Sequence, residues 1–298
     1  MIVIEREFRV DNANHYERLD RFLRNAMKDI KLSSIYKLLR KGSVRVNGKR
    51  VRDGSYRLHL NDSLTVTYSG DVSRIRRLDE SRELVPRKMP LEILFEDSDL
   101  IAIDKPPGIS VHPGKGIQII TLVEGLLAYG KENGFDPLPV HRLDKHTSGV
   151  IVFAKSPGSA REMARMFRER EIDKTYYTLV KGNPPYEHKS ITTERDGYVE
   201  RLEYRIEKKF EDASLLYVKL LTGKKHQIRR QMAELGCPVV GDDVYGERDF
   251  NRQFKKAHGL KRYFLHCSSI SFRGKSGEML SISSKLPSDL ESVLASLK

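Results

Sequence analysis

Short apolar segments dominate the chain from residue 89 to its end, and they limit the possible folds more than any other feature. The segments with the length and composition of strands are LEILF, LIAID, GVIVFA, KTYYTLVKG, YVERLEYRIEKKF, ASLLYVKLLTG, RYFLHCSSISF and EMLSISS. Fewer stretches have helical character: LVEGLLAYGKENG, KKHQIRRQMAELG and PGSAREMARMFRERE, the last with Ser156 as N-cap and Pro157 at the first position. Because strands and helices do not alternate strictly, we predict an α+β fold, with a large mixed, mostly antiparallel sheet and helices outside it.

Two helices and a hairpin are predicted near the N-terminus. In ERLDRFLRNAM the apolar residues recur with the spacing of one helix face. In SSIYKLLRKG, either Ser33 or Ser34 can cap a second helix, and Gly42 can end it. The stretch SVRVNGKRV alternates apolar and polar residues and then turns at Asn47-Gly48, a pair that accepts the positive φ angles of a tight hairpin. These elements predict a small N-terminal α+β domain.

The stretch SGDVSRIRRLDESRELVPRKMP mixes charges without periodicity and ends in prolines, as linkers between domains do. We therefore expect a small domain over residues 1–70, a linker over 71–88 and a larger domain over 89–298. The sequence contains no internal repeat and no low-complexity tract.

Positive charge is concentrated in the first quarter of the chain. The whole sequence has 54 Lys and Arg against 41 Asp and Glu, and residues 1–70 hold 15 of these basic residues but only 8 of the acidic ones. Between residues 31 and 57 there are nine basic residues and one acidic residue, a ratio too uneven for an ordinary solvated helix face. This balance favours a polyanionic partner such as nucleic acid. The candidate contact residues are Lys37, Arg40, Lys41, Arg45, Lys49, Arg50 and Arg52.

Several other classes of site are not supported by the sequence. HPGKG lacks the third glycine of a dinucleotide fingerprint, and TGKKH lacks the hydroxyl residue of a phosphate-binding loop, so no nucleotide cofactor is expected. No HExxH motif is present, and Cys237 and Cys267 have no metal-ligand spacing, so no metal is expected. With neither a signal peptide nor an apolar stretch long enough for a membrane span, we expect a cytoplasmic protein.

The stretch HRLDKHTSG, residues 141–149, places Arg142 and Asp144 directly before the apolar run VIVFA. One interpretation is purely structural, because Asp144 and Ser148 are common turn residues and Gly149 can simply let the chain enter a strand. The other interpretation is that the carboxylate and the guanidinium belong to a site. The stretch alone does not decide between them.

Four stretches together resemble the RluA family of RNA pseudouridine synthases. They are KPPGISVHPG at 105–114, HRLDKHTSG at 141–149, KTYYTLV at 174–180 and TGKKHQIRRQMAELGCPVVGDDVYG at 222–246. The later ERDFNRQF and LKRYFLHCSSISF resemble in particular the RluC-like members, which act on large-subunit ribosomal RNA. At the front, ERLDRFL through RKGSVRVNGKR is similar to the small RNA-binding domain first described in ribosomal protein S four.

The resemblance implies an isomerase that converts uridine to pseudouridine in RNA without any cofactor. It makes Asp144 the catalytic carboxylate, either as a nucleophile toward the sugar or as a base at the neighbouring carbon, and Arg229 the cation beside it. Tyr176 would stack on the uracil, although a tyrosine buried in the core is the alternative. Arg142 would fill the space that the flipped base leaves, with an internal salt bridge as the alternative, and His141 would support the loop and lie among the RNA-binding residues.

The chain departs from the family pattern at two motifs. Relatives usually read GRTHQIRVH where this chain reads GKKHQIRRQ, which bears on RNA contacts more than on chemistry. In the tyrosine motif, Thr178 stands where alanine is common. The preferred substrate is large-subunit ribosomal RNA and the protein is expected to be a monomer; transfer RNA as substrate, or a noncatalytic RNA-binding ribosome-assembly factor, are the alternatives.

Overall fold

The computed structural model describes residues 3–10, 17–27, 30, 32–69, 84–112, 120–195, 197–274 and 276–298. The chain divides into two compact units, Met1–Glu83 and Leu84–Lys298. Most of the linker predicted at 71–88 lies outside the described residues, as does most of the HPGKG stretch. Within the last part of that predicted linker, the backbone N–H of Arg87 donates to the carbonyl oxygen of Glu124 at 3.0 Å, a contact within the second unit.

The first unit is a small α+β domain with a four-stranded antiparallel sheet. Its elements are β1 (Val3–Arg9), α1 (Leu19–Ala26), α2 (Leu32–Lys41), β2 (Val44–Val46), β3 (Lys49–Arg50) and β4 (Ser63–Ser69), with sheet order β1-β4-β2-β3. Both predicted helices and the hairpin are confirmed, and Asn47 and Gly48 have φ angles of 50° and 77°. The predicted cap of α2 is wrong, because the helix begins at Leu32 and both candidate serines lie inside it.

The core of the first unit forms where the apolar faces of both helices pack on one face of the sheet. The spacing of apolar residues in α1 predicts this face, and these residues are buried. The buried set includes Leu19, Phe22, Leu23, Met27, Ile35, Leu39, Val44, Val46, Leu64 and Val66. Burial of this apolar surface stabilises the unit and leaves the polar faces of α2 and of the hairpin in solvent.

The second unit is built on one ten-stranded sheet. Its elements are β5 (Glu92–Glu96), β6 (Leu100–Lys105), α3 (Leu122–Asn133), β7 (Leu138–Pro139), β8 (Ser148–Ala154), α4 (Pro157–Glu169), β9 (Asp173–Lys181), β10 (His188–Arg195), β11 (Tyr198–Lys209), β12 (Ala213–Leu220), α5 (Gln227–Glu234), α6 (Arg248–His258), β13 (Leu265–Arg273), β14 (Met279–Ser283) and α7 (Ser288–Ser296). The main order is β10-β11-β12-β9-β13-β8-β6-β5, with β14 paired to β13 and β7 paired to β8. The predicted α+β class and the mostly antiparallel sheet are confirmed.

All the strands and helices predicted for this unit are present, but β7, β10, α6 and α7 were not predicted. Ser156 caps α4, its hydroxyl accepting from the backbone N–H of Ser159, and Pro157 is the first helical residue, as predicted. Strand β10 was not predicted, because its sequence HKSITTER is polar and its side chains are exposed or only partly buried. A strand at the edge of a sheet does not need the apolar pattern that marks a buried strand.

Strand β13 brings together two distant parts of the chain. It runs parallel to β8, with Cys267 beside Gly149, and antiparallel to β9, with Cys267 opposite Tyr176. Gly149 has a φ angle of 106°, and a Cβ atom there would lie 2.1 Å from the carbonyl oxygen of Cys267. Only glycine fits this approach, which places the loop before β8 next to Tyr176.

Both cysteines are buried free thiols. Among the described helices, none combines the length and the apolar character needed to cross a membrane.

Candidate active site

The loop between β7 and β8 carries Asp144, and a buried lysine donates a hydrogen bond to its backbone. Lys105, at the end of β6, is fully buried, and its Nζ donates to the carbonyl oxygens of Pro106, Ile109 and Lys145 at 2.9, 3.0 and 3.1 Å. The last of these bonds ties the loop that carries Asp144 to the turn that follows β6. The backbone N–H of Thr147 also donates to the carbonyl oxygen of Asp144, which closes the loop as a turn.

His141 supports the same loop from its other end. Its Nε2 accepts a hydrogen bond of 2.9 Å from the backbone N–H of Val152 in β8, and its ring lies 5.3 Å from the ring of Phe167. Burial, with a smaller effect of the positive charge of Lys174, lowers the pKa of His141 to about 3. The ring is therefore neutral and acts as an acceptor, which assigns the ring proton to Nδ1.

Arg229 faces the loop from the first turn of α5. Its Nε and Nη2 donate to the two carboxylate oxygens of Asp242 at 2.6 and 2.9 Å, and its Nη1 donates to Oδ2 of Asp144 at 3.3 Å. Its guanidinium carbon also lies 4.3 Å from the ring centroid of Tyr263. Although burial disfavours the charged form, the hydrogen bonds and negative charge of Asp242 raise the pKa of Arg229 above its usual value. The cation predicted beside Asp144 is therefore present, and its principal partner is a second carboxylate.

His226 is a further group beside Asp144. It occupies the position before α5 with a φ angle of 55°, and its Nε2 lies 3.7 Å from Oδ1 of Asp144. Its Nδ1 is 3.1 Å from the hydroxyl of Tyr245. Burial lowers the pKa of His226. The positive charge of Arg229 lowers it further, and the Asp144 carboxylate only partly offsets these effects. The imidazole is therefore neutral at pH 7.

Tyr176 forms the buried wall opposite the loop. Its side chain is 5% exposed, and burial and the neighbouring Cys267 raise the pKa of its phenol well above the usual value, so the group stays protonated. Tyr177 points to the other face of the sheet, as predicted from strand alternation, and its ring lies 5.7 Å from that of Tyr217.

The loop that carries Asp144, strand β9 and the start of α5 together line a cavity of about 310 Å³. Asp144, Tyr176 and Arg229, the three predicted catalytic residues, all line it. The volume falls at the lower end of the range for small-molecule sites, which suits a single nucleoside. Arg142, also in the lining, is exposed, and no carboxylate of the described residues pairs with it. The internal salt bridge considered for this residue is therefore not formed within the described chain.

The predicted RNA-binding residues of the first unit form an exposed basic surface. Lys37, Arg40, Lys41, Arg45, Lys49, Arg50 and Arg52 are all exposed, and within the described ranges none of them is paired with a carboxylate. Arg45 lies opposite Arg50 in the β2–β3 pair, and the side chains of Arg50 and Arg52 both approach Gly42 at the end of α2. Like charges so close to one another create a positive surface potential that attracts anions.

The departures from the family motif fall into two groups. Arg230 is buried, and its Nη2 lies 2.8 Å from each carboxylate oxygen of Glu200, while Gln231 is buried and donates to the hydroxyl of Thr193 at 2.9 Å. These two departures therefore make internal contacts. Lys224 and Lys225 are exposed and line the cavity. Thr178, the other departure, is buried, and its hydroxyl donates to the carbonyl oxygen of Phe264 at 2.8 Å.

The sequence interpretation did not identify Lys105, His226, Asp242 or Tyr263 as parts of the site. All four lie within stretches that resemble the family, but the residue type alone does not reveal the partner. Asp242 is followed by a second aspartate, and only the fold shows that Asp242 is buried whereas Asp243 is exposed.

Comparison with known proteins assigns both units. Residues 99–234 match the family model for RNA pseudouridylate synthase, and residues 17–64 match that for the S4 domain. The chain is 34% identical to ribosomal large subunit pseudouridine synthase C of Vibrio parahaemolyticus serotype O3:K6, with 97% of this chain and 95% of the relative covered. It is 32% identical to the protein of the same name from Escherichia coli strain K12, covering 95% and 93%.

The fold has solved counterparts as well. The structure of human RNA pseudouridylate synthase domain containing 4 covers 70% of this chain and 94% of its own length, with a TM-score of 0.59 and 23% identity. The structure of the human domain-containing 1 protein covers 70% and 88%, with a TM-score of 0.57 and 22% identity. These likenesses concern the fold alone. The family models and the relatives that span nearly the whole chain establish that it belongs to the RNA pseudouridine synthase family, a family of isomerases, and carries an RNA-binding S4 domain.

Proposed function

We propose that this enzyme isomerises uridine to pseudouridine in large-subunit ribosomal RNA, with Asp144 as its catalytic carboxylate. The observation that carries the assignment of Asp144 is its contact with Arg229 at 3.3 Å in the wall of a cavity large enough for one nucleoside. The choice of RNA is supported by the relatives that span nearly the whole chain and are named as ribosomal large subunit pseudouridine synthases.

The chemistry requires a carboxylate close to the ribose. Breaking the bond between the sugar and N1 of uracil develops positive charge on the sugar, which an ionised carboxylate can stabilise, attack or relieve by removing a proton. Asp144 can act as nucleophile or as base. The Nη1 of Arg229 donates to Oδ2 of Asp144, whereas Oδ1 lies 3.7 Å from Nε2 of His226, too far for a hydrogen bond. Oδ1 is therefore the oxygen that we propose to act on the ribose. The second carboxylate, Asp242, is engaged by Arg229 and by backbone N–H groups, which makes it a support for the cation.

The remaining side chains are proposed to hold the uracil in the cavity and to fill the space that the flipped nucleotide leaves in the RNA. After the glycosidic bond breaks, the free base must stay and turn, and Tyr176 offers an aromatic surface that remains a neutral phenol. The target uridine must also leave its stack to reach the cavity. Arg142, exposed beside Asp144 without a carboxylate partner in the described chain, is the side chain proposed to fill the vacated space, while His141 fixes the loop behind it.

The first unit is proposed to bind RNA through phosphate contacts, which increase affinity without reading sequence. Its exposed cationic residues on α2 and on the β2–β3 hairpin support this role. We assign residues 1–70 to this domain, 71–88 to the linker and 89–298 to the catalytic domain. We further propose that the protein acts as a monomer in the cytoplasm.

Release of tritium from RNA labelled at C5 of uridine tests the proposal, because joining C5 to the sugar releases the hydrogen at C5. The protein is incubated with a labelled large-subunit ribosomal RNA transcript and, in parallel, with labelled transfer RNA. Wild type should release tritium from the ribosomal transcript, Asp144→Asn should release none, and the control Asp136→Asn, which changes an exposed acid elsewhere, should match wild type.

Other outcomes would identify the alternatives. Release from transfer RNA alone would reassign the substrate. Tight RNA binding without any release from either RNA would indicate a noncatalytic assembly factor. Full activity of Asp144→Asn would show that this carboxylate does not carry the chemistry.

A further inference from the structure

An exposed tyrosine stands next to the cavity at the tip of the β10–β11 hairpin. Tyr198 is the first residue of β11 and pairs with Arg195 of β10. Its side chain is 56% exposed, although Nζ of Lys224 lies 3.7 Å from its ring centroid. Lys224 also lines the cavity that contains Asp144. The aromatic ring therefore contacts a residue of the cavity lining.

The hairpin that carries Tyr198 is fixed to the helix that carries Arg229. Arg230 in α5 contacts both carboxylate oxygens of Glu200, two residues after Tyr198, at 2.8 Å. Gln227 in the same helix donates to the carbonyl oxygen of Arg201 at 3.1 Å. The Arg230–Glu200 bonds are buried and charge-assisted, which fixes their geometry. The position of Tyr198 relative to the catalytic groups is therefore built into the fold.

The surroundings of Tyr198 suit a base attached to a phosphate chain. Lys224, Lys225 and Arg142 are exposed around the cavity, and in the described part of the chain none of them is paired with a carboxylate. An exposed aromatic ring among cations is the combination that binds single-stranded nucleic acid, since the ring stacks on bases and the cations follow the backbone. When a uridine flips into the cavity, its neighbour in the RNA loses a stacking partner and needs a replacement.

We propose that Tyr198 and Lys224 form a stacking ledge that binds the unpaired nucleobase adjoining the target uridine. This subsite rests on the proposed function, because it assumes that an RNA uridine occupies the cavity. Tyr198 provides the ring surface, and Lys224 covers one ring face and contributes positive charge near the phosphate chain.

A matched control lies near the other end of β10. Tyr186 is 55% exposed, and Nζ of Lys189 lies 4.2 Å from its ring centroid. Lys189 lies six residues before Arg195, the strand partner of Tyr198, which is about 20 Å along β10. Lys189, unlike Lys224, does not line the cavity. A general loss of an exposed tyrosine can therefore be separated from the loss of the ledge.

The test compares Tyr198→Leu, Tyr198→Phe and Tyr186→Leu on the labelled large-subunit transcript. For Tyr198→Leu we expect the RNA concentration at half-maximal rate, and the Kd for the transcript, to rise about 10-fold, since one stacked base contributes on that order. The maximal single-turnover rate should stay near that of wild type, because the ledge binds RNA outside the reacting atoms. Tyr198→Phe keeps the ring and should resemble wild type, as should Tyr186→Leu.

A second arm uses short RNAs that span a modified uridine, with an abasic site on one side or the other. The abasic site on the side that the ledge binds should weaken RNA binding by wild type about 10-fold. The same abasic site should not further weaken RNA binding by Tyr198→Leu. Equal affinities of Tyr198→Leu and Tyr186→Leu, or equal losses by wild type and Tyr198→Leu on every abasic RNA, would overturn the ledge. Weakened binding by Tyr198→Leu without tritium release from wild type would retain the ledge and reject the proposed enzymatic function.

Discussion

Replacing Asp242 with asparagine should weaken both the fold and catalysis, because this carboxylate holds Arg229. The side chain is fully buried and accepts from Nε and Nη2 of Arg229 at 2.6 and 2.9 Å. It also accepts from the backbone N–H groups of Val244 and Tyr245 at 2.9 and 3.0 Å. Asparagine offers one acceptor oxygen in place of two and turns an N–H₂ donor toward other donors, so at least one of these bonds is lost.

The magnitude follows from the burial of the pair. Removing one charge from a buried ion pair costs about 3 to 5 kcal/mol, since the remaining charge loses its compensation. For catalysis, Nη1 of Arg229 would no longer be held toward Asp144, and a hydrogen bond between charged groups contributes about 1.5 to 3 kcal/mol. We therefore expect Asp242→Asn to lower the free energy of unfolding by about 3 kcal/mol. The single-turnover rate should fall about 10- to 100-fold.

Two measurements separate these effects. Urea denaturation gives the free energy of unfolding, and tritium release with enzyme in excess over RNA gives the single-turnover rate of the folded fraction. Asp243→Asn is the matched control, because it removes the same charge from the next residue, which is exposed. The reasoning is refuted if Asp242→Asn is as stable and as fast as Asp243→Asn.

Two further predictions concern RNA affinity and pH. Changing both Arg50 and Arg52 to glutamine should weaken transcript binding and leave the single-turnover rate unchanged. The slope of the logarithm of the association constant against the logarithm of the salt concentration should become shallower by about 1 for each phosphate that the variant no longer neutralises. An unaltered slope in filter binding would contradict this. The pKa of His141 is lowered to about 3 by burial, so below the ordinary value of 6.5 the unfolded chain binds the extra proton and stability is lost as pH falls. Between pH 7 and pH 5 the free energy of unfolding should fall by about 2 kcal/mol because of His141, and in urea titrations it should fall less for His141→Asn. Equal pH dependence of the two proteins would exclude this role of His141.

The sequence predicted the elements that carry the site better than the contacts made within it. Apolar runs such as GVIVFA predicted the buried strand β8, and the same pattern predicted β9, with Tyr176 and Tyr177 on opposite faces. The polar edge strand β10 was not predicted, although its hairpin with β11 carries Tyr198, whose ring contacts Lys224 of the cavity lining. Edge strands contact one neighbour and solvent, so their sequences need no continuous apolar pattern.

The partners of Arg229 illustrate where prediction from sequence ends. Resemblance to a family suggested that Arg229 lies near Asp144, and the structure places them 3.3 Å apart across 85 residues of sequence. It did not indicate that Asp242 would hold two of the three guanidinium nitrogens, nor that His226 would lie 3.7 Å from the same Asp144 carboxylate. The internal bonds of Arg230 and Gln231 were likewise visible only in the fold.

The amino-acid sequence by itself determined the α+β class, the two helices and hairpin of the basic N-terminal domain, and the strands and loop that carry Asp144 and Tyr176. These features depend on periodicity, turn residues and charge density, which act between neighbours in the chain. Only the tertiary structure decided which carboxylate holds Arg229, why Gly149 must lack a side chain, and that Tyr198 contacts Lys224. Those outcomes depend on strand register and on the burial of charges, both of which arise when distant segments pack against one another.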